Sequence, residues 1–264
     1  MNNPLRKKKM NRLIKILLNS VSLVAVLVIN YLSNTTLVSQ QSVGEMSNRF
    51  QTVITPAGYA FAIWGLIYLS LIFFAGYQWH LWIRKKNTDV IDCIGYYFVI
   101  ANLANALWVI AWVNGLIGVS LLLILILLGS LATIVKRLNM EKWNAPFPVI
   151  FFIWWPIAIY FGWIILATVL NIKVFAVSRG YDDLLLSATV WGVLLITVST
   201  AIYLSLVYAR NLRESAIVGV WGLLAIVLRQ AEANPVIAVT SLISSAVLLI
   251  YVAFHALKAR GKTG

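Results

Sequence analysis

The chain is poor in the residues from which most catalytic and metal sites are built. Of its 264 residues, one is cysteine, two are histidine and eight are acidic. A lone Cys93 leaves no disulfide framework and no cysteine metal site. The acidic residues are Glu45, Asp89, Asp92, Glu141, Asp182, Asp183, Glu214 and Glu232. All fall between apolar runs or at their ends, and His80 and His255 also lie near run ends. No Asp, Glu, Lys or Arg occupies the middle of an apolar run. That argues against a transporter coupled to protons or sodium through an intramembrane carboxylate. It argues equally against a His/carboxylate metal site and against acid–base catalysis buried in lipid. There is no Gly-x-Ser-x-Gly, no His-Glu-x-x-His and no phosphate-binding glycine loop.

What the chain has in abundance is apolar sequence, at 61% of residues, with a mean hydropathy of +0.89. No soluble core of this length needs so much. Eight runs, at about 13–33, 58–82, 94–113, 118–135, 149–171, 188–208, 215–228 and 236–256, approach the ~20 residues that cross ~30 Å of hydrocarbon. A backbone in lipid must satisfy its own polar groups, so each run is expected to be a helix. The run at 215–228 is the shortest, and a tight hairpin must join the third and fourth through 114–117.

The net charge of +13 would suggest nucleic acid in a soluble protein. Here the positive-inside rule accounts for it. With the N-terminus inside, seventeen of the 21 Lys and Arg residues fall on the cytoplasmic side. Only Arg49, Lys173, Arg179 and Arg229 fall outside. Eight spans then place both termini in the cytoplasm. The basic head and first run read as an uncleaved helix, since no Ala-x-Ala-like site follows. Asn34-Thr35-Thr36 matches a glycosylation sequon but abuts the membrane.

The remaining signal is aromatic: eleven Trp, eleven Tyr and eleven Phe. Trp79, Trp82 and Trp143 suit an interfacial belt. Trp64, Trp108 and Trp163 lie deeper, each in the outer half of its span, and Tyr68 shares a helix face with Trp64 at i+4. They are either packing aromatics or the walls of a pocket open towards the loop 34–55. Asn102 and Asn105 share a face; adhesion between helices explains Asn102.

Three segments carry a family resemblance. Pro56-Ala-Gly-Tyr-Ala-Phe61-Ala-Ile-Trp64-Gly-Leu-Ile-Tyr68, Leu103-Ala-Asn105-Ala-Leu-Trp108 and Tyr160-Phe-Gly-Trp163-Ile-Ile-Leu-Ala167-Thr-Val-Leu170-Asn171 resemble, in order and spacing, elements of the TspO/MBR family. These are the tryptophan-rich sensory or translocator proteins. The resemblance covers roughly residues 13–173. It implies a five-helix bundle around a pocket for porphyrins, sterols or synthetic lipophilic ligands. Carried over residue by residue, it implies that Trp64, Tyr68, Asn105, Trp108, Trp163, Ala167 and Asn171 line or shape that pocket, with Pro56 and Phe61 at its outer rim. The chain departs from the family where Ile159 stands in place of a proline before Tyr160. Pro156, three residues earlier, would displace the local kink by about one turn.

The expectation is therefore an all-α integral membrane protein: a TspO-like five-helix bundle at 1–173 and a three-helix extension at 174–264. Its ligand is expected to be a lipophilic small molecule of the porphyrin or isoprenoid class, bound for sensing, sequestration or transport. No cofactor, catalytic residue, metal site or nucleic-acid partner is expected. Membrane lipids surround the chain, and a homodimer is compatible with it. Two alternatives stay open: an eight-helix small-molecule exporter, and an enzyme acting on a membrane-dissolved tetrapyrrole or isoprenoid. Trp191, Trp221 and the Ser241-x-x-x-Ser245 face in the extension suggest packing more than chemistry.

Overall fold

Proline and glycine punctuate a chain that is otherwise almost continuous helix. The computed structural model describes residues 4–33, 35, 41–86 and 88–260. Asn34 and Thr36 of the sequon, most of the 34–40 stretch and Lys262 of the basic C-terminus lie outside the described residues. Among the described residues there is no strand, and ten helices follow in order: α1 (Pro4–Ser33), α2 (Val43–Arg49), α3 (Ile63–Ile83), α4 (Asp89–Ile94), α5 (Tyr97–Val113), α6 (Ile117–Arg137), α7 (Phe147–Ser178), α8 (Ala188–Arg210), α9 (Arg213–Gln230) and α10 (Pro235–Arg260). All eight apolar runs are helical. Six are long and apolar enough to cross a membrane: α1, α3 with its 3-10 lead-in Gly58–Ala62, α6, α7, α8 and α10. The chain is a multipass integral membrane protein.

The other two of the eight expected spans are shorter helices. α5 is apolar but has 17 residues. α9 has 18, of which Arg213, Glu214 and Arg229 occupy the ends. At 17 and 18 residues both stand at the short end of what crosses the hydrocarbon, roughly 17–25 residues. The hairpin between α5 and α6 is as tight as expected: Gly115 takes φ +73, a left-handed conformation open to glycine. In α7, Pro156 has no N–H to donate and its ring crowds the preceding turn. The turn just before it, Ile150–Trp154, is a π turn.

One continuous apolar core runs through all the long helices. Polar side chains pin it. Asn19 Nδ2 donates to Gln78 Oε1 at 2.9 Å and Asn102 Nδ2 to Ser22 Oγ at 3.1 Å, so Asn102 does serve helix adhesion. Trp79 is more than an interfacial residue: its indole donates to Ser20 Oγ at 2.9 Å. One end of the bundle is basic. There Arg12 and Lys15 of α1 pair with Asp89 and Asp92 of α4, and Arg137 at the end of α6 donates to the carbonyls of Asp92 and Cys93.

The last three helices are woven into this core. α9 lies against α7 where Gly162 has no side chain: a Cβ there would stand 2.7 Å from Ser215 Cα. Ser215 Oγ donates to the Ala158 carbonyl and Tyr203 OH to the Gly162 carbonyl, each at 2.7 Å. Small residues that let backbones approach are the usual adhesive between helices in lipid.

Candidate ligand pocket

Trp64 stands in the first turns of α3, just after the 3-10 turn that follows Pro56. Its ring is the hub of an aromatic cluster. Tyr68, one turn on, stacks on it at 5.3 Å with 21° between the planes. Trp108 lies at 6.1 Å, Tyr160 at 6.1 Å and Trp163 at 6.4 Å, the last two edge-on. Phe61 meets Trp163 edge-on at 6.2 Å, and Trp112 stacks under Trp108 at 6.0 Å. Offset and edge-to-face arrangements are the ones the ring quadrupole favours.

Polar groups hold the rings in place. Trp108 Nε1 donates to Asn171 Oδ1 at 3.1 Å, while Asn171 Nδ2 donates to the Ala167 carbonyl at 2.8 Å. Asn105 Nδ2 donates to Tyr160 OH at 2.9 Å. Trp112 Nε1 donates to the Val43 carbonyl at 3.1 Å, which ties α2 down over the cluster. Trp163, 1% exposed, is different: its buried indole N–H finds no acceptor among the described residues.

These groups enclose a cavity of about 30 Å³, room for a water molecule or two. Pro56, Phe61, Trp64, Trp108, Trp163, Ala167 and Asn171 line it. Tyr68 lines a neighbouring space of about 320 Å³ between α1, α2 and α3, with Asn30 and Tyr31. Phe61, Trp64 and Val43 border both spaces. Asn105 lines neither and stands behind, holding Tyr160. The smaller cavity is roofed by Val43 and Ser47 of α2 and by Thr52 and Thr55.

Sequence reasoning missed several lining residues. Trp112 is one turn from Trp108, and that i+4 spacing was a usable signal. The helix α2 was also readable, from the Ser42–Glu45 capping box that opens it. The contribution of α9 had no local signal. Trp221 donates to the Ala60 carbonyl at 3.1 Å and meets Tyr59 edge-on at 5.1 Å. The Ala57 N–H donates to the Ala225 carbonyl at 2.9 Å, and Gln230 Nε2 to the Thr52 carbonyl at 3.3 Å. The pocket's rim is thus buttressed from the C-terminal part of the chain.

No carboxylate, imidazole or thiol lines the pocket, and among the described residues no three His, Cys, Asp or Glu side chains gather as a metal site. Its surfaces can stack, exclude water and offer an indole N–H. A model of the TSPO-like protein family matches residues 15–254. The chain belongs to the TSPO-like family. That match runs on through α8, α9 and most of α10, so the kinship seen in three motifs up to residue 173 extends over nearly the whole chain. No curated protein and no solved structure matches it.

Proposed function

We propose that this TSPO-like protein binds a flat lipophilic molecule of the porphyrin class in the Trp64 pocket, and senses, sequesters or passes it on without covalent chemistry. One observation carries the reading: four aromatic rings surround Trp64 beside a cavity into whose wall the Trp163 indole N–H is buried without an acceptor among the described residues. Wide π-surfaces gain from stacking on indoles and from leaving water. Pro56, Phe61, Trp64, Tyr68, Trp108, Trp163, Ala167 and Asn171 would touch the ligand, and Asn105 would orient Tyr160.

A drug-sized ligand needs roughly 300–1,000 Å³, far more than the closed cavity holds. Binding therefore requires Phe61 to turn and α2 to lift, which would join the cavity to the space beside Tyr68. Residues 1–173 would supply the ligand contacts and 174–264 the buttress. In this reading all eight long helices cross or enter the membrane, the basic end faces the cytoplasm with both termini, and the pocket opens to the other side. Titration of the purified protein with a porphyrin panel, read by tryptophan quenching, tests the proposal. Saturable quenching that Trp163→Ala weakens supports it; no saturable quenching by any porphyrin counts against the ligand class.

A further inference from the structure

The end of α7 has a second face, turned away from the tryptophans. Beside it lies a cleft of about 260 Å³, walled by Ile172, Tyr181, Leu184, Leu185, Trp191 and Leu195. Lys173 lines the same cleft, although its side chain is only 2% exposed. A buried ammonium is costly without an anion. Lys173 finds one in the carboxylate of Asp182, on the loop between α7 and α8, and it also donates to the Asp182 carbonyl at 3.5 Å.

We propose that this cleft binds a single-chain amphiphilic anion, a long-chain carboxylate whose head group replaces the Asp182 carboxylate on Lys173. Four observations converge. The walls are apolar, which suits an alkyl chain. At about 260 Å³ the cleft falls below the roughly 300 Å³ that whole ligands start from, so it takes the head-group end of one alkyl chain, with the rest in the surrounding bilayer, and not a tetrapyrrole. Its one buried charge is a cation, and the partner it holds is a loop side chain about one-third exposed. The Asp182 side chain borders water and can turn to it, whereas Lys173 is buried and must keep an anion. Finally, Leu185 is 90% exposed in a left-handed conformation, φ +67, which a branched side chain rarely adopts. Trp191 fixes this loop from behind, donating to the Leu184 carbonyl at 3.0 Å. A chain lying in the cleft would cover the Leu185 side chain. The inference is independent of the porphyrin reading, because the two cavities share no residue.

The test uses full-length protein in phosphatidylcholine nanodiscs, titrated with cis-parinaric acid and with its methyl ester, corrected for uptake by empty discs. The acid should bind saturably and the ester at least tenfold more weakly. Lys173→Met should weaken the acid at least tenfold. Asp182→Asn should strengthen it severalfold, since it removes the competing carboxylate. That opposite sign separates a binding site from a plain structural ion pair, for which both variants would only loosen the loop. Should Lys173→Met fail to fold, Leu195→Trp fills the cleft without touching the pair; it should abolish acid binding and leave porphyrin quenching unchanged. The proposal is overturned if acid and ester bind alike, if Asp182→Asn weakens binding, or if Leu195→Trp leaves it intact. Displacement of the acid by phosphatidylglycerol added to the discs would overturn it too, by assigning the site to a phospholipid head group.

Discussion

Along α7, one face presents Trp163, Ala167 and Asn171 to α3 and α5, and another presents Gly162 and Leu166 to α8 and α9. On the first face, rings stand 5–6 Å apart around an unfilled cavity. On the second, the packing is closer: an added Cβ at Gly162 would meet the Ser215 backbone at 2.7 Å, and one at Gly222 of α9 would meet the Leu166 side chain at 2.1 Å, while between α9 and α8 a Cβ at Gly219 would meet the Tyr203 ring at 2.5 Å. A loosely packed face can rearrange around a guest, because rings can turn into free space. A close-packed face cannot give without separating two helices. The helix that carries half the pocket is therefore anchored on its far side, which lets the near side adjust without loss of the bundle.

The strongest way to break this contrast is to add volume on the anchored face. Gly162→Ala places a methyl group against Ser215 backbone, which has no rotamer to yield. Overpacking of this kind costs about 1–3 kcal/mol, and more when backbone must move. Gly129→Ala, on α6, meets nothing within 4 Å and should be neutral or gain roughly 0.5–1 kcal/mol from helix propensity. Thermal unfolding in detergent should separate the two variants clearly. Equal stabilities would mean that α7 and α9 are not in backbone contact.

On the adjustable face, the effect should appear in binding before it appears in folding. Trp163→Ala should weaken porphyrin affinity roughly tenfold or more, since an aromatic contact adds about 0.5–1.5 kcal/mol beyond buried area and ~1.4 kcal/mol is one decade. Trp143, 46% exposed, with its ring edge-on to Trp154 and its indole donating to the Leu138 carbonyl, is the comparison. Trp143→Ala should leave affinity nearly unchanged. Equal losses in the two variants, once both are shown to fold, would place the ligand elsewhere.

The two faces also differ in how far the sequence discloses them. Trp64, Trp108, Trp163 and Asn171 could be placed together because each lies on a helix of known register at a similar depth, and the motifs set their faces. The size of the space between them could not, because side-chain packing decides whether rings 6 Å apart leave 30 or 300 Å³. The helices themselves were legible from hydropathy alone, while the short α2 and α4 lack the length that makes periodicity speak. On the anchored face, Gly162, Gly219 and Gly222 look like any glycines in apolar helices. Their meaning lies in the contacts Gly162–Ser215, Gly219–Tyr203 and Gly222–Leu166 among α7, α8 and α9, between residues too far apart along the chain for a local pattern to encode. Lys173 is a related case. The apolar run ends near residue 171, yet the helix continues to Ser178, so a residue assigned to a loop is buried in a helix.

A smaller effect is expected behind the pocket. Tyr160→Phe deletes the acceptor of Asn105 Nδ2 and leaves a buried amide donor unpaired, at a cost of about 1–2 kcal/mol. Asn105→Leu removes the other partner. Because the two share one hydrogen bond, the double variant should cost less than the sum of the singles. Additive losses in unfolding measurements would show that the pair does not act as a unit.

The smallest effect sets two carboxylates at the basic end against each other. Partial burial pushes the Asp92 carboxyl up, but hydrogen bonds from Lys15 and Arg12, and their positive charges, outweigh it and hold it below its ordinary value. The folded state thus binds a proton less readily than the unfolded chain. The stability this group supplies is complete above the ordinary Asp pKa of about 4 and is lost as pH falls through the lower folded value. Glu141 has the opposite sign. Burial pushes its carboxyl up, and neither the hydrogen bond from Asn211 Nδ2 at 2.7 Å nor the nearby charge of Arg213 reverses this. Its contribution is most favourable below the ordinary Glu value and declines as pH rises through the raised one. Asp92→Asn should therefore cost at most about 1 kcal/mol at neutral pH, as partly exposed ion pairs do, and nothing once the pH is below the folded pKa. Glu141→Gln should be neutral or mildly stabilising at pH 7 relative to wild type, with the advantage fading towards pH 4. Unfolding profiles from pH 3 to 8 for both variants check the signs. Matching slopes for the two would mean that burial, and not the cations of α1, governs Asp92.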